Sequence, residues 1–149
     1  MEIKENKLYL GGVKAEKLVK DFGSPCYVYE EDTIVNNHKK LVDAISYSNL
    51  KMLYACKANT NAVIMKKILD LGVGVDVVSV GEMKLALKIG FKAENILFTA
   101  TSVTNDELQD VLEENVLINM DSLSEMKRFG EMNRGGKCSV RINPEFGAG

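Results

Sequence analysis

Short apolar runs recur along most of the chain, and the segments between them have the apolar spacing of helices. The runs repeat about every twenty residues, and each has the length of one β-strand. This alternation predicts strands joined by helices, and strands that are apolar nearly throughout are typical of a parallel sheet covered by helices. The predicted strands lie at residues 52–56, 73–78, 96–98, 116–120 and 138–142.

The predicted helices carry start and stop signals. Three of them begin with a hydroxyl residue followed three positions later by a glutamate, which predicts capping boxes. These pairs are Ser79 with Glu82, Thr104 with Glu107, and Ser122 with Glu125. Three glycines are predicted to lie just past helix ends, where a left-handed residue is common. They are Gly72, Gly90 and Gly130.

The first part of the chain is less regular. Asp32 or Thr33 is predicted to cap its longer helix. The predicted elements are a strand at 7–13 ending in a glycine turn, a helix at 15–21, a break at 23–25, a strand at 26–29 and a helix with apolar residues from 34 to 45.

The strand and helix pattern alone leaves two architectures open, a doubly wound open sheet and part of a closed β/α barrel. Residues 72–76, Gly-Val-Gly-Val-Asp, do not form a dinucleotide fingerprint, because the third glycine is missing and the glycines precede the strand. The doubly wound reading therefore loses its main support.

Composition excludes several classes of partner. The chain has 149 residues, 46% of them hydrophobic and 27% charged, which are values of a globular domain with a real core. The net charge of −2 shows no excess of positive charge of the kind that binds nucleic acid or an anionic membrane. No signal peptide or membrane-spanning window is visible, so we expect a soluble, cytoplasmic protein without nucleic-acid or membrane partners.

The cysteines predict neither a metal site nor disulfides. Cys26, Cys56 and Cys138 are far apart and form no C-x-x-C pair, which argues against zinc. An odd number of cysteines fits reduced thiols. Strand alternation directs Cys56 toward the covering helices, so packing is its expected role.

Lys57 is the strongest candidate for chemistry. It closes an apolar strand, where an ammonium is costly to bury unless it is paired, reaches solvent or works as a neutral amine. A partly desolvated lysine is suited to Schiff-base chemistry with an aldehyde, because desolvation lowers its pKa. The alternative is an ordinary surface lysine at a strand end.

Three further charged residues need an explanation. Asp76 interrupts an apolar strand and needs a partner, either in a structural network or at an active site. Glu82 is explained by its capping box. Arg141 alternates with Ser139 and Asn143 on a polar face near a strand end, which favours a site lining.

Two segments carry a resemblance to a known family. Residues 54–59, Tyr-Ala-Cys-Lys-Ala-Asn, and residues 72–83 resemble the fold type III decarboxylases that use pyridoxal 5'-phosphate (PLP), and within that group the diaminopimelate decarboxylases. The resemblance extends from residue 23 to the end of the chain. It places Lys57 at the lysine that binds the cofactor covalently. Cys56 and Val80 depart from the residues common in the family.

The resemblance implies an α/β fold, the N-terminal part of a PLP-binding (β/α)8 TIM-like barrel of the alanine racemase type with about five of its eight strands. Residues 1–22 are expected to associate with a C-terminal β domain that this chain lacks, and residues 23–149 to form the incomplete barrel. Lys57 then ends the first barrel strand, Asp76 lies on the second and Arg141 on the fifth. Residues 143–149 read as a loop, which favours a fragment of a longer enzyme.

The implied activity is PLP-dependent decarboxylation of meso-diaminopimelate to L-lysine by a full-length homodimer. Lys57 would be the catalytic residue, and Lys57, Asp76 and Arg141 would bind the cofactor, with no metal ion. The 149-residue chain alone is expected to be inactive. The alternatives are an ornithine, arginine or carboxynorspermidine decarboxylase, a racemase of the same fold, and a non-catalytic PLP-binding barrel.

Overall fold

The structure, a computed structural model, describes residues 1–144. The end of the predicted terminal loop, residues 145–149, lies outside this range. The chain divides into two compact units, Met1–Asn49 and Leu50–Gly149. No helix in the described part of the chain combines the length and the apolar character needed to cross a membrane.

The first unit contains a small antiparallel sheet and two helices. Strands β1 (Glu2–Lys4), β2 (Lys7–Leu10) and β3 (Val13–Lys14) pair in that order, and helices α1 (Ala15–Phe22) and α2 (Glu31–Asp43) follow. The predicted strand and glycine turn are confirmed, since β2 and β3 are joined through two glycines with positive φ. The sequence did not predict β1, because an exposed segment of three residues with one apolar side chain is too short to give a strand pattern.

Two predictions for the first unit are wrong. Residues 26–29 form no strand, since none of the described strands pairs with them, and Tyr27 is exposed. Helix α2 is capped by neither Asp32 nor Thr33, which lie inside its first turn; Glu30 is the N-cap residue and makes no side-chain cap. The Glu30 carboxylate is used elsewhere, because it accepts a hydrogen bond from the Gly11 N–H at 2.5 Å and pairs with the Met1 ammonium at 2.9 Å.

The second unit is built on a parallel sheet. Its strands β4 (Leu53–Ala55), β5 (Gly74–Val77), β6 (Ile96–Phe98), β7 (Leu117–Met120) and β8 (Ser139–Val140) are hydrogen-bonded in sequence order. All four pairings are parallel, which confirms the prediction from the apolar runs. The described strands form an open sheet with β4 and β8 at its edges.

A helix connects each strand to the next, as parallel pairing requires. The apolar side of the sheet contributes the buried Val75, Val77, Phe98 and Ile118 to the core. Helix residues complete this core, and they are Met65, Ile68, Met83, Ala86, Leu108, Val111 and Phe129. The connecting helices are α3 (Ala62–Asp70), α4 (Val80–Ile89), α5 (Asn105–Glu113) and α6 (Leu123–Met132).

Of the three predicted capping boxes, the one at Thr104 is complete. The Glu107 N–H donates to Thr104 Oγ1 at 3.3 Å, and the Thr104 N–H donates to Glu107 Oε2 at 2.9 Å. These bonds satisfy donors that a helix start would otherwise leave unpaired. The Thr104 N–H, followed by its hydroxyl, lowers the pKa of the Glu107 carboxyl below its usual 4.5.

Only the serine half of each of the other two predicted capping boxes is present. Ser79 and Ser122 accept the N–H of Glu82 and Glu125, each at 3.2 Å. The two glutamate carboxylates reach one residue further back than a capping box requires. Glu82 accepts the Val78 N–H at 2.7 Å, and Glu125 accepts the Asp121 N–H at 2.8 Å.

Glycines end two of the three helices for which this was predicted. Gly90, with φ of 114°, is the left-handed C-cap of α4, and Gly72, with φ of 76°, follows α3. Gly130 does not end a helix, because α6 continues to Met132 and accommodates it at a modest cost. Gly74 instead permits close packing, because a Cβ at this position would lie 2.5 Å from the Asn95 carbonyl oxygen.

We expect Thr104→Ala to lower the free energy of unfolding by about 0.5–2 kcal/mol, because the hydroxyl that accepts the Glu107 N–H and donates to Glu107 Oε2 is lost, while the backbone half of the box remains. The loss should shrink as the pH falls through the lowered pKa of Glu107, since a depressed carboxyl pKa stabilises the fold only above it. Urea unfolding of wild type, Thr104→Ala and the exposed-loop control Thr101→Ala between pH 7 and pH 3 measures this. Equal stability of the two variants at pH 7 would contradict the capping role.

Candidate active site

One face of the parallel sheet carries polar side chains. Ala55 is opposite Asp76, Asp76 is opposite Leu97, and Leu97 is opposite Leu117. Residues opposite each other in a ladder share a face, and so do residues two apart along a strand. The residues on this polar face therefore include Ala55, Asp76, Thr99, Asn119 and Ser139.

Lys57 lies at the carboxyl edge of this sheet, two residues beyond the end of β4. The sequence placed it at the strand end itself, but the strand stops at Ala55 and a short 3-10 helix, Cys56–Ala58, carries the lysine. Lys57 is exposed, so its amine is open to approach. The carboxyl edge of parallel β/α strands is where active sites form.

Hydrogen bonds fix the turn that carries Lys57. The Asn59 N–H donates to the Cys56 carbonyl at 2.9 Å, and the Tyr54 hydroxyl donates to the Asn59 carbonyl at 3.1 Å. Asn59 Oδ1 also accepts the Asn61 N–H at 2.9 Å. The lysine backbone is therefore held on both sides, while the residue itself is exposed.

One oxygen of the Asp76 carboxylate bears on the two interpretations that the sequence left open, a structural network and an active site. This oxygen, Oδ1, is buried and has no hydrogen-bond partner among the described residues. An unsatisfied buried acceptor costs about 1–3 kcal/mol. The oxygen is therefore suited to a donor from a bound molecule, which supports the active-site reading of Asp76 over the structural one.

Arg141 lies at the same edge but on the far side of the sheet. It follows β8, and its N–H donates to the Met120 carbonyl at 2.9 Å, so the ladder continues to this residue. Its guanidinium Nη1 is 3.9 Å from Asp121 Oδ1, and both side chains are partly exposed. A pair of this kind contributes little to stability. The structure thus places Arg141 on the edge, but three strands separate it from β4.

Two residues of the polar face were not identified from the sequence. Thr99 directly follows β6, and Asn119 lies within β7; the side-chain oxygens Oγ1 and Oδ1 are buried without a partner in the described chain. Asn119 interrupts an apolar strand just as Asp76 does, so the sequence pattern could have identified it. Thr99 carried no such signal, because a threonine after a strand resembles an ordinary loop residue.

Cys56 packs next to the lysine turn, as predicted. It is fully buried, and its Sγ donates to Glu82 Oε2 at 3.3 Å. The same oxygen accepts the Val78 N–H, so Glu82 connects the turn after β4 to the start of α4. Burial, followed by the hydrogen bond to Glu82, raises the pKa of the Cys56 thiol to about 12. The thiol therefore stays protonated and is unsuited to act as a nucleophile.

We expect iodoacetamide at pH 8 to label the exposed Cys26 and Cys138 rapidly and Cys56 only after unfolding, because the thiolate is the reactive form. Mass spectrometry of peptides at successive times measures the three rates. Glu82→Ala removes one cause of the raised pKa and should speed labelling of Cys56. Labelling of wild-type Cys56 as fast as Cys26 would contradict the burial and the hydrogen bond.

Known proteins resemble this chain in sequence and in structure, as three examples show. The diaminopimelate decarboxylase of Methanothermobacter thermautotrophicus is 43% identical over 145 residues, which are 95% of this chain and 34% of that protein. The crystal structure of AQ1208 from Aquifex aeolicus matches with a TM-score of 0.87 and 30% identity, over 97% of this chain and 37% of the other. Diaminopimelate decarboxylase from M. jannaschii, in complex with L-lysine, matches with a TM-score of 0.83 and 31% identity, over 93% of this chain and 34% of the other.

These likenesses confirm the expected fold, an N-terminal part of a PLP-binding β/α barrel, with the barrel not closed by the described strands. The chain spans about a third of the length of the curated relatives that it matches. Residues 31–149 match the family model described as the pyridoxal binding domain of pyridoxal-dependent decarboxylases, and this is most of the chain. The chain therefore belongs to the pyridoxal-dependent decarboxylase family, in which it represents the pyridoxal-binding domain.

Proposed function

We propose that this chain is part of a PLP-dependent diaminopimelate decarboxylase, which converts meso-diaminopimelate to L-lysine and carbon dioxide. The name of the 43% identical relative and the lysine complex of the M. jannaschii structure support this substrate. The observation that carries the proposal is the exposed Lys57 on a fixed turn at the carboxyl edge of a parallel sheet.

The residues at this edge fit the cofactor. An accessible amine on a flexible stem can bond to the aldehyde carbon of PLP, and Lys57 supplies one. The buried Asp76 Oδ1 offers an acceptor that no described residue satisfies. Asp76 and Arg141 together place one negative and one positive charge on the same edge of the sheet. These three residues are the proposed cofactor-binding set.

When bound, PLP supplies the electron sink that allows the substrate carboxylate to leave as carbon dioxide, after which a proton takes its place on the same carbon. Lys57 would hold the cofactor at this edge through its amine and would release it when the substrate amine binds. The turn around Lys57 is fixed independently of the lysine side chain, because its hydrogen bonds are made by Asn59 and Tyr54. The Lys57 Nζ at this edge could then donate or accept a proton.

The apolar side of the sheet supports this chemistry indirectly. Its tightly packed core keeps the strands in register, and the register sets where Asp76 and the Lys57 turn lie relative to each other. The Ala55–Asp76 pairing places the carboxylate one strand away from the chain that leads into the lysine turn. We assign the phosphate cradle, the acid at the ring nitrogen and the substrate pocket to the remaining part of the protein.

The same proposal includes two features of the whole enzyme. We propose a homodimer in the cytoplasm, with residues 1–22 associated with a C-terminal β domain and residues 23–149 forming the first part of the barrel. Substrate choice within the decarboxylases would depend on that remaining part. An ornithine, arginine or carboxynorspermidine decarboxylase would share Lys57 and differ there.

The first test locates the covalent bond. In the full-length protein, meaning this chain with the further part that its relatives possess, borohydride treatment after PLP loading should fix the pyridoxyl group on Lys57. Peptide mapping identifies the labelled lysine. Lys57→Ala should lose the label, whereas the matched change Lys66→Ala, at an exposed helix position paired with Asp70, should keep it. A label on Lys51 or Lys66 in the wild type would refute the assignment.

The second test concerns the 149-residue chain by itself. We expect no release of carbon dioxide from meso-diaminopimelate, even with excess PLP, because electrostatic stabilisation of the reaction needs groups that lie outside this chain. Light scattering should show self-association, since the open sheet exposes an edge and apolar side chains such as Val140 and Leu117. Turnover near that of the full-length protein, from a monomer, would overturn the fragment interpretation and the assignment of the remaining cofactor-binding groups to the rest of the protein.

A further inference from the structure

Three neighbouring strands each present one buried oxygen that has no hydrogen-bond partner among the described residues. The atoms are Asp76 Oδ1, Thr99 Oγ1 and Asn119 Oδ1. They lie on β5, directly after β6 and on β7, and the ladder register puts all three on the polar face. Thr99 belongs to the ladder, because its N–H donates to the Val77 carbonyl at 2.8 Å.

A row of this kind is costly for the fold. Buried polar groups in folded proteins nearly always have partners, and an unpaired one costs about 1–3 kcal/mol. On the opposite face of the same strands, Val77, Phe98 and Ile118 are buried and apolar, so their side chains need no hydrogen-bond partner. Packing alone therefore does not explain polar side chains at these three positions.

The fourth unpaired buried atom in the described chain has a different setting. Glu125 Oε1 belongs to helix α6, and the other oxygen of this carboxylate accepts the Asp121 N–H at 2.8 Å. The row on the sheet is therefore distinct in that its three atoms share one face of three adjacent strands. The Asp76 and Asn119 oxygens are acceptors, and the Thr99 hydroxyl can both donate and accept, so the missing partners include hydrogen-bond donors.

We propose that Thr99 and Asn119 are binding residues of the PLP pocket, and that together with Asp76 they form hydrogen bonds with the bound cofactor. This inference rests on the proposed function. PLP carries a ring hydroxyl, whose oxygen donates a hydrogen bond when protonated and accepts one, for example from the Thr99 hydroxyl, when it is not. Thr99 and Asn119 lie two residues beyond the Leu97 and Leu117 pair, toward the carboxyl edge where Lys57 lies. The polar face thus becomes one wall of the site from β5 to β7.

The test uses Thr99→Val and Asn119→Leu in the full-length protein, with Thr101→Val in the exposed loop as the matched control. Each of the first two changes replaces an unpaired oxygen with an apolar group of similar size. The cofactor-free protein should therefore be equally stable or more stable in urea, while affinity for PLP falls about three- to tenfold. Thr101→Val should change neither quantity. Absorbance titration with PLP gives the affinity.

The opposite pattern would overturn the inference. If the partners are side chains elsewhere in the protein, the variants will destabilise the cofactor-free protein and leave PLP affinity unchanged. Wild-type affinity in both variants overturns the inference while the proposed function stands. If the wild type itself takes up no PLP, the proposed function fails and this inference fails with it. Thr99→Val and Asn119→Leu are judged separately, so one poorly folded variant does not remove the test.

Discussion

The constraint on which this structure depends is the alternation of side chains in a parallel sheet. Parallel pairing requires a helix between strands, and those helices pack against an apolar face of the sheet. The side chains on the opposite face do not pack against these helices, so they need not be apolar. In the second unit the covered face is packed with residues such as Val77 and Phe98, and the free face holds Asp76, Thr99 and Asn119. Stability and chemistry are thus assigned to opposite sides of the same strands.

The two sides are joined at the start of α4. Glu82 accepts the Val78 N–H and the Cys56 thiol, so the helix that follows β5 is tied to the turn that follows β4. Cys56 is buried in the core while the next residue, Lys57, is exposed at the carboxyl edge. The position of the lysine is therefore set by core packing, although the lysine itself contributes nothing to that core.

The sequence predicted the parts of this architecture that follow from local periodicity. The five parallel strands appear within two residues of their predicted positions at each end, and Lys57, Asp76 and Arg141 all lie on or near the carboxyl edge. The failures have physical reasons. Residues 26–29 have strand-forming side chains but no pairing partner, and pairing is non-local. Gly130 is tolerated inside α6 because helix packing outweighs a small intrinsic cost. Thr99 became a candidate for the site only when the register placed it on the same face as Asn119.

The most direct test of the central claim, that the polar face at the carboxyl edge is the cofactor site, is a crystal structure of the full-length protein with PLP. The account predicts continuous electron density from Lys57 Nζ to the cofactor, with Asp76 Oδ1 within hydrogen-bonding distance of a cofactor donor or of a group attached to it. Cofactor bound at the opposite edge of the sheet, or Lys57 directed away from a cofactor held elsewhere, would contradict the account.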